Sequence, residues 1–178
     1  MLIKAISLLT AITLIPALEL RASIPMGILP IPVPFADLVI NKILSWEMVV
    51  LICVIANIIL GWLVFMVLGP IFSLIRKWRW FNKKIWPLLE RSQHKIHPYI
   101  EKYGELGVAI FIGIPLPGSG VYTGAFGAYL LGVSKRKFIV ANILGVLIAA
   151  AAVTGLSLLI LHGFIGENSW LSKLFLNT

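Results

Sequence analysis

The sequence predicts an all-α integral membrane protein built as an inverted repeat, each half a re-entrant helical hairpin plus one full transmembrane helix. Three observations predict it. The 178 residues are 60% hydrophobic and 12% charged, where soluble domains carry about 25% charged residues, and the mean hydropathy is +1.00. Two apolar runs, 47–75 and 138–162, exceed the roughly 20 helical residues that cross a ~30 Å hydrocarbon core. Before each run lies a second kind of stretch, 2–44 and 107–132, apolar but broken by proline and glycine.

The first repeat is residues 1–75. Residues 2–18 are apolar and reach Pro16. Met1–Ile15 has an early Lys4, but no A-x-A cleavage site follows, so residues 1–18 are expected to stay in the mature chain. LELRASIPMGI comes next. Pro25, Gly27, Pro30, Pro32 and Pro34 are expected to break any helix, and the alternating prolines suit an extended passage. Phe35–Leu44 is read as regaining a helical arm. The hairpin 2–44 is thus an apolar arm, a Pro-rich polar apex and a second arm. Ser45 can cap the transmembrane helix 47–75, with Glu47 in its first turn, where an acid suits the dipole.

Residues 76–104 change character. RKWRWFNKK is basic with interleaved indoles, which reads as a basic amphipathic linker on a membrane surface. Glu90, His94, His97 and Glu101 have spacings that place them on one helical face, as a metal set would need. Pro98 interrupts that helix and Arg91 and Lys95 crowd it, so a solvated face is expected and neither metal nor cofactor is assigned.

The second repeat is residues 105–163. In the hairpin 107–132, Pro115 and Pro117 remove backbone donors near the middle, and Gly118, Gly120 and Gly124 follow at once. Neither half is long enough to span a bilayer alone. A broken segment at membrane depth must be buried in protein or line a watery cavity; a Pro-kinked ordinary span is the alternative. Ser134–Lys137 reads as a cap and a short basic loop, 138–162 as the second span with Gly163 at its C-cap, and 164–178 as a C-terminal tail.

The halves share an order of elements, and ANIILG (56–61) answers ANILG (141–145). Basic residues concentrate in 76–104 and 134–137, which the positive-inside rule places in the cytoplasm. The spans then run in opposite directions and the hairpins open to opposite sides. In such a plan two broken hairpins meet near the midplane and build a substrate site. The chain is therefore expected to be a multi-pass protein of the cell membrane with membrane lipids as neighbours, and its small size favours a homodimer.

Glu19 and Arg21 are the charges deep in the first hydrophobic region. Each costs about 2.5–3.5 kcal/mol to insert at mid-depth, which makes such residues functional candidates. A desolvated carboxylate there could couple proton movement to transport; the alternative is a permanent ion pair or a boundary position. Pro25 belongs to the same apex. Pro115, Pro117, Gly118, Ser119, Gly120, Tyr122 and Thr123 shape the second apex and supply neutral hydroxyls, which can equally cap broken backbone. Asn57 and Asn142 hold similar places in the two spans and are expected mainly as interhelical glue worth about 0.6–2 kcal/mol. Cys53 is read as packing. No P-loop and no G-x-S-x-G elbow occurs, so enzymatic chemistry by those routes is excluded. The little polar surface argues against nucleic acid.

IPALELRASIPMGI (15–28) and FIGIPLPGSGVYTGAFGAYLLG (111–132) resemble the small multidrug export protein family of bacteria and archaea, across nearly the whole chain. That family is similar in plan to DedA-type membrane proteins, with two opposed re-entrant hairpins. The resemblance implies Glu19, Arg21, Pro115, Pro117, Gly118, Ser119, Gly120 and Thr123 as motif positions. DedA-type relatives carry arginines in the second hairpin; this chain has none there, which weighs against a phosphate site like theirs. The resulting expectation is a small secondary transporter, proton-coupled, for a small organic or amphipathic compound. A polyprenyl-phosphate lipid-carrier flippase and a non-transporting scaffold are the alternatives.

Overall fold

The computed structural model describes residues 1–16, 18–33, 38–75, 104–115 and 119–162. Among them the secondary structure is helical: α1 (Leu2–Leu14), α2 (Glu19–Ile28), a 3-10 turn (Ile40–Lys42), α3 (Trp46–Ile75), α4 (Gly104–Gly113), α5 (Val121–Leu130) and α6 (Lys135–Leu161). A single antiparallel bridge joins Val33 and Leu38. At 30 and 27 residues, α3 and α6 are about 45 and 40 Å long, enough to cross a bilayer; the other helices, about 15–20 Å, are not. The linker 76–104 beyond Gly104, with Glu90, His94, His97 and Glu101, lies outside the described residues, as do Pro34, Pro117, Gly118 and the tail.

The long helices wear their apolar side chains outward. On α3, Leu51, Ile55, Ile59, Leu63, Val67 and Ile71 are exposed at every fourth residue, while Cys53 and Asn57 are buried. On α6, Val140, Leu144, Leu147 and Ile148 are exposed, while Ala141, Asn142 and Ala149 are buried. Polar residues kept inside, beside large ones such as Phe65 and Phe138, with an apolar exposed face, is the distribution of a helix whose outer solvent is lipid.

The chain divides into two compact units, residues 1–56 with 150 onward, and residues 57–149. Each contains one pair of short helices and part of each long helix. In the first unit α1 packs on α2. Ala5, Leu9, Ile12 and Thr13 form the buried stripe of α1, and Leu20, Ser23, Ile24, Gly27 and Ile28 that of α2, both at helical spacing. Gly27 lies against Val49 of α3, close enough that a Cβ would overlap the valine side chain.

The break in this region is earlier than the prolines suggest. It falls between Leu14 and Glu19, and α2 runs through Pro25 and Gly27, correcting the expectation of an apex there. Pro25 removes one intrahelical donor, a loss of about 3 kcal/mol in a helix interior. The stripe packs closely on α1, and with lipid as the outer solvent that van der Waals contact, rather than removal from water, offsets the loss. The second arm expected over Phe35–Leu44 is, within its described part, only the 3-10 turn Ile40–Lys42. The Val33 amide donates to the Leu38 carbonyl at 2.9 Å.

In the second unit α4 and α5 are joined through Gly120, whose φ of 134° and ψ of −173° lie in a region essentially restricted to glycine. α5 stops at Gly132, φ 75°. There the Val133 amide donates to Ala128 O at 2.9 Å and the Gly132 amide to Tyr129 O at 3.1 Å, the paired bonds of a Schellman stop. Helix α6 restarts at once: the Phe138 amide donates to Ser134 O at 2.9 Å. Lys135, Arg136 and Lys137 are therefore the first turn of α6 and not a loop, because the chain has already turned at Gly132. Helices α4 and α6 pack through small residues; a Cβ on Gly145 would lie 2.7 Å from Ala109 O and from Ile112 Cβ. Phe65 stacks on Phe138 with centroids 4.3 Å apart, and Phe72 meets Tyr129 at 5.0 Å.

Thermal unfolding in detergent checks these contacts. Gly145→Ala should destabilise the protein by about 1–3 kcal/mol through overpacking, because one of its neighbours is backbone. Gly155→Ala, with open space around its Cβ, should be neutral or stabilising by up to about 1 kcal/mol. Gly120→Ala should lose about 1–3 kcal/mol from backbone strain alone.

Candidate functional site

The site is built at the break between α1 and α2. After Ile15 leaves the helical region, the Glu19 amide donates back to Ile15 O at 3.2 Å, and Glu19 itself takes φ 48°. Left-handed backbone costs a non-glycine residue roughly 1–2 kcal/mol. It also takes Glu19 off regular helical register. Residues two apart on a helix do not face each other, yet Arg21 Nη1 lies 3.7 Å from Glu19 Oε2. Glu19 is only 3% exposed, and the Arg21 side chain is largely covered. Glu19 thus sits in the first turn of α2, where the helix dipole favours a negative charge.

One turn further, three polar side chains meet in the same unit. The Thr13 and Ser23 hydroxyls are 2.8 Å apart. Each also reaches the carbonyl four residues back, Thr13 to Leu9 O at 2.8 Å and Ser23 to Glu19 O at 3.1 Å. The Cys53 thiol lies within interaction range of both hydroxyls. All three side chains are fully buried. Each brings one hydrogen, fewer than the contacts within reach, so the proton positions in this node can rearrange without moving a heavy atom. Sequence reasoning assigned Cys53 to packing and passed over Thr13 and Ser23. The available signal was symmetry: a chain folding back near residue 18 sets residues 13 and 23 opposite each other. Pro25 is buried on the same helix.

In the other unit the hydroxyls serve the backbone. Ser119 Oγ donates to Ile114 O at 2.6 Å across the break, and Thr123 Oγ1 reaches Gly120 O at 3.4 Å. Tyr122 is half-buried and Pro115 exposed; Pro117 and Gly118 are not among the described residues. Asn142 Nδ2 donates to Ile58 O of α3 at 3.0 Å, and Gly61 leaves the room, since any Cβ there would overlap the Asn142 amide. The Oδ1 atoms of Asn57 and Asn142 are buried without a hydrogen-bond partner among the described residues. The sequence-predicted residues thus fall into a charged pair in one unit and a set of backbone-capping and interhelical groups in the other. Among the described residues no cluster of His, Cys, Asp or Glu could hold a metal.

No curated protein and no solved structure matches the chain. The family model described as "Putative small multi-drug export protein" matches residues 19–152, a span that opens on Glu19 and takes in the whole of the second broken segment. On that match, the chain belongs to the family of small multi-drug export proteins.

Proposed function

We propose that this protein is a small secondary transporter of the cell membrane that exports small organic or amphipathic compounds, with Glu19 as its proton-coupling group and Arg21 as the partner that holds it. The observation that carries the proposal is Glu19 itself: a carboxylate, 3% exposed, held in left-handed backbone in a chain clothed in apolar side chains. Strain and buried charge together work against stability, and their coincidence favours a functional group. The pair stands at a helix break, as the sites of secondary transporters do. The description of the family as export proteins supports the reading.

In this reading the short-helix pairs are re-entrant hairpins and the two halves are inverted repeats. Their helices are too short to cross a bilayer and each precedes a long one. The basic stretches 76–104 and 134–137 face the cytoplasm.

Two experiments test this. In proteoliposomes carrying a pH-sensitive dye, the wild type should dissipate an imposed proton gradient faster when a panel of amphipathic dyes is supplied, and Glu19→Gln should reduce that flux to the level of empty vesicles. Unchanged flux in the variant removes Glu19 from the mechanism. For orientation, Arg136→Cys should resist a membrane-impermeant maleimide in intact cells and react after permeabilisation; labelling of intact cells reverses the topology.

A further inference from the structure

A second feature lies in the unit formed by residues 57–149. Between α4 and α5 runs an apolar groove of about 340 Å³, walled by Gly107, Phe111, Gly124, Gly127 and Ala128, with the Thr123 hydroxyl toward one end. The volume is at the lower end of ligand pockets, about 300–1,000 Å³. From Gly104 to Phe111 the wall is about 11 Å long at 1.5 Å per residue. Gly107 and Gly127 hold it open, for a Cβ at either would meet nothing within 4 Å. Gly124 lies deeper, against Ile112.

One end of the groove is cationic. Gly104 and Val133 line that end. Beside them Glu105 pairs with Lys137 at 3.8 Å, and Lys135 and Arg136 open the first turn of α6. Lys135 and Arg136 are exposed. Three cations at a helix N-terminus oppose the macrodipole, which favours negative charge there. Glu105 answers Lys137. Among the described residues Lys135 and Arg136 have no ion-pair partner, so an external anion at this end is favoured by both the side chains and the dipole.

We infer that this groove binds an anionic phospholipid, one acyl chain lying along Gly107, Phe111 and Gly127 and the phosphate headgroup meeting Lys135 and Arg136. The chemistry matches at both ends: an apolar groove of about 340 Å³, and two exposed cations just beyond Val133, where the chain would end. The inference depends on the chain lying in a membrane and not on Glu19 or on transport.

Native mass spectrometry of the full-length protein in detergent tests it, with phosphatidylglycerol and phosphatidylcholine of identical acyl chains as probes. Phosphatidylglycerol should be retained about five- to thirty-fold better, from roughly 1 kcal/mol for each of the one or two basic residues engaged. Lys135→Gln with Arg136→Gln should bring it down to the phosphatidylcholine level. Gly107→Leu with Gly127→Leu should remove both lipids, whereas Gly69→Leu, also in open space but outside the groove, should remove neither. Equal retention of the two lipids by the wild type overturns the inference, as does undiminished binding in the filled groove. If filling the groove instead dissociates a homodimer, a second copy is its occupant and the lipid assignment falls. Should the leucine pair fail to fold, the charge-neutral pair decides alone: a persisting preference for phosphatidylglycerol refutes the headgroup site.

Discussion

The constraint on which this structure depends is that hydrocarbon offers no hydrogen bonds. Any interruption of a helix at membrane depth must be closed from within. Three of the described breaks show such closure. Ser119 reaches across to Ile114 O. The chain reverses at Gly132 through two backbone bonds before α6 begins. The turn after α1 returns the Glu19 amide to Ile15 O. Once these groups are satisfied, short helices can exist where a soluble protein would use a hydrated loop.

Closure by side chains has a consequence for chemistry. In the 57–149 unit the hydroxyls near the break are committed to carbonyls, so they shape backbone more than they offer ligands. In the other unit the break is closed by backbone, beside a buried carboxylate with its arginine, and one turn away the Thr13 and Ser23 hydroxyls meet each other as well as carbonyls. The two broken regions, similar in order of elements, are therefore chemically unlike.

Packing follows the same logic. With lipid outside, apolar surface gains little from burial against a neighbouring helix, and close van der Waals contact does more. Hence glycine and alanine lie where α4 meets α6, and a glycine makes room for the Asn142 amide beside Ile58. Where glycines are not covered, as at 107 and 127, the same composition leaves a groove.

Membrane class, the two long helices and the presence of two broken regions are all legible in the sequence. Hydrophobic run length and composition act locally, and lipid imposes them without reference to the rest of the chain. It also singled out Glu19 and Arg21, since charge in an apolar stretch is conspicuous. It misplaced the first break, because proline's local cost was legible and the close packing of Leu20, Ile24 and Ile28 in the helix pair with α1 was not. The Thr13–Ser23–Cys53 node was decided only by tertiary structure: it joins residues 10 and more positions apart, and ordinary side chains gain meaning only when folding makes them neighbours. The same holds for the strained backbone of Glu19 and for the groove between α4 and α5, whose walls come from two helices and whose emptiness no single segment encodes.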